Sequence, residues 1–290
     1  MELLGPTSVP TFKATCKARV AQLLQYLESV SDPYINLKEL PNGLVTILDF
    51  NALDEEFLAT YQWLFTPMPA HLLASYGIDY KRTGSIQLSL QDFPSESDPI
   101  NELAPGMRAP HQRAILINRS LDRLFGGVRR LKIRKLLQQH SGWQDISYGH
   151  PFLWRMALID KVMPISWGSM IYEHVSKDEI TSPHIMLMTV QSVDAAEDQV
   201  LTGELGPIIS AIANRLEQAE FADVNTFPVM QVSLCGPQHG RILQGCYTRA
   251  GVFEIWKSQL FSFMRVSEAP FDLFLRFLAN TPRNPTREVG

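Results

Sequence analysis

The sequence predicts an α+β protein: a mainly antiparallel sheet with helices packed on it, ending in a three-stranded meander followed by a helix. Alternating apolar runs lie close together over 166–192 and 229–256, joined by short polar connections, which is how hairpins read. Segments with apolar residues three and four apart are grouped before and between those runs. The regular strand–helix alternation of a doubly wound parallel sheet is missing.

Each element has its own justification. Phe12, Cys16, Val20, Leu23, Leu24, Leu27 and Val30 recur at helical spacing with Lys, Arg, Gln and Glu between them, which gives an amphipathic helix. LVTILDF (44–50) reads as a buried strand. Asn51 and Asp54 offer caps for a helix through EEFLATYQWLF, which Pro67 and Pro69 end. A short helix around 71–76 follows. SIQLSLQDF (85–93) alternates Ile86, Leu88 and Leu90 against polar residues, as a half-buried strand does. Residues 112–140 read as a helix broken at Gly126-Gly127, with a basic second half of Arg129, Arg130, Lys132, Arg134 and Lys135. SWGSMIYEHV and HIMLMTVQS read as paired strands. LGPIISAIANRLEQAE is a second amphipathic helix with Pro207 in its first turn. Strands at 229–235, 241–247 and 252–256 form the meander, and a helix near 270–279 closes it.

The proline- and acid-rich stretch over 92–111 is the one sub-boundary in what otherwise reads as a single domain over 1–290. An apolar fraction of 45% supplies a sizeable core. A net charge of −4 and a pI near 6.0 remove a whole-chain footprint for nucleic acid or anionic lipid. MELLGPTSVPTF lacks the basic start and apolar run of a secretory leader, and no apolar run is long enough for a spanning helix, so no membrane role is expected. Cys16, Cys235 and Cys246 are too few for a disulfide scaffold and fit a reducing, cytoplasmic setting.

The chemistry-bearing stretch is VSLCGPQHGRILQGCY, over 232–247. Gly236-Pro237 and Gly240 mark a tight turn between two strands. Cys235, Gln238, His239 and Arg241 surround that turn and are the candidate site residues. A thiol beside an imidazole can form a nucleophilic pair, although no third orienting group is visible. Zinc through Cys235, His239 and Cys246 lacks a fourth ligand and a tight knuckle, so no metal is expected. Glu173, His174, Asp178, Glu179 and His184 cluster without a recognisable ligand spacing, as a solvated hairpin loop does. Asp49 with Asp79 and Lys81 has the residue types of a magnesium-dependent nuclease, but no E-x-K occurs. Trp143, Tyr148, His150 and Trp154 read as core packing or as a groove lining. Phosphate-loop, dinucleotide-binding, zincin, α/β-hydrolase and zinc-ribbon motifs are missing.

NELAPGMRAPHQRAI (101–115), GPQHGRILQG (236–245) and the C-terminal helix resemble segments of uncharacterised proteins of filamentous fungi. The resemblance implies an intracellular protein and transfers no catalytic residue.

The functional expectation is a small-molecule-binding protein of the isomerase or cyclase type. It would need no cofactor and would work through an apolar pocket with a few hydrogen-bond donors. One alternative is a protein-interaction module that docks through 92–111 and 129–135. The other is a divergent magnesium-dependent nuclease.

Overall fold

Two faces of one sheet, each covered by helices, follow from the period-two patterning of the strands. The computed structural model describes residues 9–36, 40, 43–60, 64–83, 88–93, 109–146, 166–178, 181–248 and 251–283. In chain order these form α1 (Val9–Ser29), β1 (Val45–Phe50), α2 (Glu55–Thr60), β2 (Phe65–Thr66), α3 (Ala70–Ser75), α4 (Tyr80–Thr83) and α5 (Pro110–Gly126). There follow α6 (Leu137–Ser141), β3 (Trp143–Asp145), β4 (Trp167–Val175), β5 (Thr181–Asp194), α7 (Thr202–Glu217), β6 (Val229–Gly236), β7 (His239–Tyr247) and β8 (Phe253–Ser258). β9 (Phe261–Ser262), α8 (Phe271–Leu278) and β10 (Thr281–Pro282) complete the chain.

The sheet runs β1-β8-β7-β6-β5-β4-β3, with β9 also on β7. It is mixed: β6, β7 and β8 are antiparallel neighbours, but β5–β6 and β1–β8 are parallel. The three C-terminal strands therefore sit inside a larger sheet, and β9 intervenes before the closing helix. The carboxyl ends of β1, β5, β6 and β8 consequently lie along one edge.

Met186, Met188 and Val190 of β5, with Met230, Val232 and Leu234 of β6, face a core completed by Ala114, Ile117, Leu121 and Phe125 of α5 and by Phe274 and Phe277 of α8. The alternate residues Ile185, Leu187 and Val229 face Phe12, Cys16, Val20, Leu23 and Leu27 of α1 and Leu205, Ile208, Ile209 and Ile212 of α7. The side-chain period of two sends neighbouring residues to opposite cores.

α7 lies between the sheet and α1, and it begins at Thr202, so Pro207 stands in its second turn rather than its first. A proline has no N–H, so the carbonyl of Gly203 loses its helical donor. Two sheet glutamines supply the bond instead: Gln191 Nε2 donates to that oxygen at 2.7 Å and Gln231 Nε2 at 3.1 Å. These glutamines are buried because an acceptor inside the core would otherwise go unpaired.

Two expected elements differ. Residues 88–93 are not a strand, and 84–87 lie outside the described residues. The basic segment after Gly127 is a tight turn, not helix. Arg130 folds inward and donates to the carbonyl of Leu124 near the end of α5, at 3.2 Å, while Lys132, Arg134 and Lys135 stay exposed. An arginine that caps the last helical carbonyls stops the helix there. Most of the 92–111 stretch lies outside the described residues. No described helix is long and apolar enough to cross a membrane.

Candidate functional site

The hairpin expected around His239 is present, with Cys235 paired to His239, and the peptide Gly236-Pro237 is cis. The fold takes up most of the polar groups expected to act there. Cys235 is fully buried, its Sγ donates to the His239 carbonyl at 3.5 Å, and burial pushes its pKa up, far from a thiolate. The thiol thus meets the backbone of His239, not the imidazole. Gln238 is also fully buried and donates through Nε2 to the Phe263 carbonyl at 2.6 Å, which ties the turn to the strand edge. His239 is half-buried; burial lowers its pKa and the nearby Asp194 and Glu197 oppose that. Cys246 sits at the far end of β7, opposite Glu254, so it cannot share a metal with Cys235 and His239.

Arg241 has a different role from the one expected. Its guanidinium is fully buried and grips Glu204, in the first turn of α7, through Nε at 2.7 Å and through Nη2. It also donates to the carbonyls of Gln199 at 2.7 Å and Ala196 at 3.4 Å. Burial works against its charge, but the Glu204 carboxylate holds its pKa above the ordinary value. Glu204 in turn accepts from the Leu201 N–H at 2.8 Å, satisfying an orphan donor at the helix start. One ion pair therefore fixes both the start of α7 and the loop over 195–201.

That loop is one wall of an open cleft of about 940 Å³ at the carboxyl ends of β1 and β8. Asp49, Phe50 and Asn51 line it from β1 and the turn after it, Lys257 and Gln259 from β8 and beyond, and Glu197, Asp198 and Val200 from the loop. The Lys257 ammonium donates to Asp49 Oδ1 at 2.7 Å and to the Glu197 carbonyl at 2.9 Å. An ammonium has three protons, so one has no acceptor among the described residues. The side chain of Lys257 is 8% exposed and that of Asp49 82%, so the pair spans the boundary between core and solvent. Gln259 donates to Asn51 Oδ1 at 3.4 Å and Leu260 N–H to Glu197 Oε2 at 2.8 Å, which bind the walls together.

No protein-family model, curated protein or solved structure matches this chain. Its chemistry is read from its own residues.

Lys257 stands outside the site residues that the sequence suggests. Its signal lies in FEIWKS, where Phe253, Ile255 and Lys257 share one parity, so a lysine occupies a core-facing position. Glu204 gives a weaker signal, as the acid in the first turn of an amphipathic helix.

The acid–histidine cluster is dispersed. Glu173 pairs with Arg215 at 3.1 Å, and His174 packs edge-on against Trp143 with ring centroids 5.4 Å apart. Among the described residues no group of three or more His, Cys, Asp or Glu is placed to hold a metal. Asp49 is engaged by Lys257, whereas the Asp79 N–H donates to the Arg129 carbonyl. Glu179, Tyr148, His150 and Trp154 lie outside the described residues.

His184 is buried, bonded through Nδ1 to Ser182 Oγ at 2.6 Å and through Nε2 to the Arg283 carbonyl at 3.0 Å. Burial lowers its pKa to about 4. Between pH 4 and the ordinary histidine value the unfolded chain binds the proton and the native one does not. The contribution is therefore complete above about pH 6.5 and is lost as pH falls towards 4. In urea unfolding across that range, wild type is expected to lose on the order of 3 kcal/mol more than His184→Gln does.

Proposed function

We propose that the protein binds a small carbonyl- or hydroxyl-bearing molecule in the cleft at the carboxyl ends of β1 and β8. The observation that carries this reading is the Lys257 ammonium, nearly buried and with one donor proton to spare beside a 940 Å³ opening. Ile47, Phe50 and Val200 offer the apolar contact such a ligand needs, and Asn51 and Gln259 add amides. Open sheets commonly hold ligands outside the carboxyl ends of their strands, where loops can diverge around a rigid frame.

The same pair supports acid–base chemistry. A ligand oxygen on Lys257 would have its developing negative charge stabilised by the ammonium. The adjacent Asp49 carboxylate would accept a proton from the neighbouring carbon. The bond broken is C–H, the electron pair moves into the enolate, and the proton returns to a different carbon or to the same one. This is the chemistry of a cofactor-independent isomerase or cyclase.

The test is NMR titration with hydroxyacetone and cyclohexane-1,3-dione. Binding to wild type is expected to weaken about tenfold in Lys257→Met, as for the loss of one charged hydrogen bond. Since Asp49 is exposed, Lys257→Met leaves no buried charge behind and should fold normally. Protein-catalysed deuterium exchange at the carbon next to the carbonyl of hydroxyacetone, measured above the uncatalysed rate, should stop in Asp49→Asn. Equal binding by wild type and Lys257→Met, or no binding of either probe, overturns the reading.

A further inference from the structure

A second cleft, of about 560 Å³, opens beside β3, at the edge of the sheet opposite β1. Arg119, Asp122, Arg123, Gly126 and Gly127 line it from α5 and its end, Gln138 from α6 and Asp145 from β3. The charges in it are two of each sign, and they do not neutralise one another. No ion pair joins Arg119 or Arg123 to Asp122 or Asp145 among the described residues; Asp145 accepts instead from Gln138 Nε2, at 3.1 Å. Arg119 and Arg123 are one helical turn apart, so both guanidinium groups share a face.

Asp122 is half-buried without a hydrogen-bond partner among the described residues. Burial and then the nearby Asp145 raise its pKa. Beneath it the fully buried Tyr172 hydroxyl has only the Met170 sulfur, at 3.9 Å, and its phenol is close enough to feel both aspartates. Asn118 Oδ1, one turn before Asp122 on α5, is buried and unpaired too. Glycine lets two of the lining side chains come close: a Cβ on Gly126 would stand 2.7 Å from Gln138 Oε1, and one on Gly127 2.9 Å from Arg123 Cδ.

We infer that this cleft is a site for a small zwitterion of the α-amino-acid class, its carboxylate on Arg119 and Arg123 and its ammonium between Asp122 and Asp145. Arginine matches a carboxylate in charge and in fork geometry. The carboxyl end of α5, with its partial negative charge, favours the ammonium on the same side as the aspartates. A lone anion would leave the aspartates uncompensated, and a lone cation would leave the arginines so. This site is independent of Lys257.

Calorimetric titration of the full chain with each proteinogenic L-amino acid tests it, followed by the N-acetyl and amide forms of whichever amino acid binds. Saturable binding is expected, weakened about tenfold or more by either modification, because each removes one charged partner. Asp122→Asn should have its largest effect on the free amino acid and little on its N-acetyl form. The double variant Arg119→Gln, Arg123→Gln should do the converse, leaving the amide form nearly unaffected. Both arginines are exposed, so that variant is expected to fold. Lys257→Met should bind as wild type does. Undiminished binding of the amide or of the N-acetyl form overturns the inference in favour of a simple cation or anion site. No binding by any amino acid also overturns it, whatever the outcome at Lys257.

Discussion

Arg241→Met is expected to lower the unfolding free energy by about 3–5 kcal/mol, because it strands the Glu204 carboxylate inside the protein. Both side chains are fully buried. Glu204 would keep one bond, from the Leu201 N–H, which is too little for a desolvated charge. The Gln199 carbonyl would lose its donor at the same time and the Ala196 carbonyl would keep only the Gln199 N–H, so the loop over 195–201 would loosen. Equilibrium unfolding in urea measures the loss. The double variant Arg241→Met, Glu204→Gln should recover a substantial part of it, because the second substitution removes the stranded charge while its amide oxygen can still accept from the Leu201 N–H. A double variant no more stable than Arg241→Met would mean that the loop carbonyls, not the buried charge, dominate the cost. Because the loop is a wall of the Lys257 cleft, Arg241→Met should also weaken binding there without touching a ligand.

Phe274→Ala is expected to cost about 3–5 kcal/mol, the range for a large aromatic removed from a core that cannot collapse around the void. Phe274 is fully buried in α8, with its ring centroid 5.0 Å from that of Phe263 and 5.8 Å from that of Phe261. It also lies over Gly240, where a Cβ would come within 3.2 Å of the ring. The glycine that reads in sequence as a turn residue lies instead within β7, without positive φ, and is small because the Phe274 ring of α8 packs onto the strand at that point. Thermal unfolding of Phe274→Ala should show the loss. A decrease below about 1 kcal/mol would mean that α8 is not docked on the hairpin as described.

Local signals were enough for much of the architecture. The apolar stripe of α1, the hairpins β4–β5 and β6–β7, and α7 and α8 were legible because period 3.6 and period 2 are properties of the chain itself. Residues 88–93 show the limit of such signals: alternation favours a strand only where a neighbouring strand accepts its bonds. The segment after Gly127 shows another, since a helix-like pattern ended where Arg130 turned inward to the carbonyl of Leu124.

The candidate site was less legible than the elements. Cys235, Gln238, His239 and Arg241 stand out in the sequence as polar groups on a rigid turn, and the turn is there. Burial then consumed the thiol, the amide and the guanidinium in structural bonds, which no spacing in the sequence records. Lys257 carried a usable signal in its strand parity. Its partner Asp49 stood out only beside Asp79 and Lys81, and its pairing with Lys257 was not legible, because parity says which face a residue takes but not which strand lies beside it.

Taken alone, the amino-acid sequence determined where α1, α7, α8 and the two main hairpins form and which of their faces turn inward, because both follow from backbone geometry and side-chain polarity within a few residues. Only the tertiary structure decided that β1 lies parallel to β8, which brings Asn51 and Gln259 together across 208 residues. It alone decided that Gln191 and Gln231 serve the carbonyl freed by Pro207, and that Arg241 holds Glu204. The physical reason is that a buried polar group must find a partner, and which partner it finds depends on packing between segments far apart in the chain.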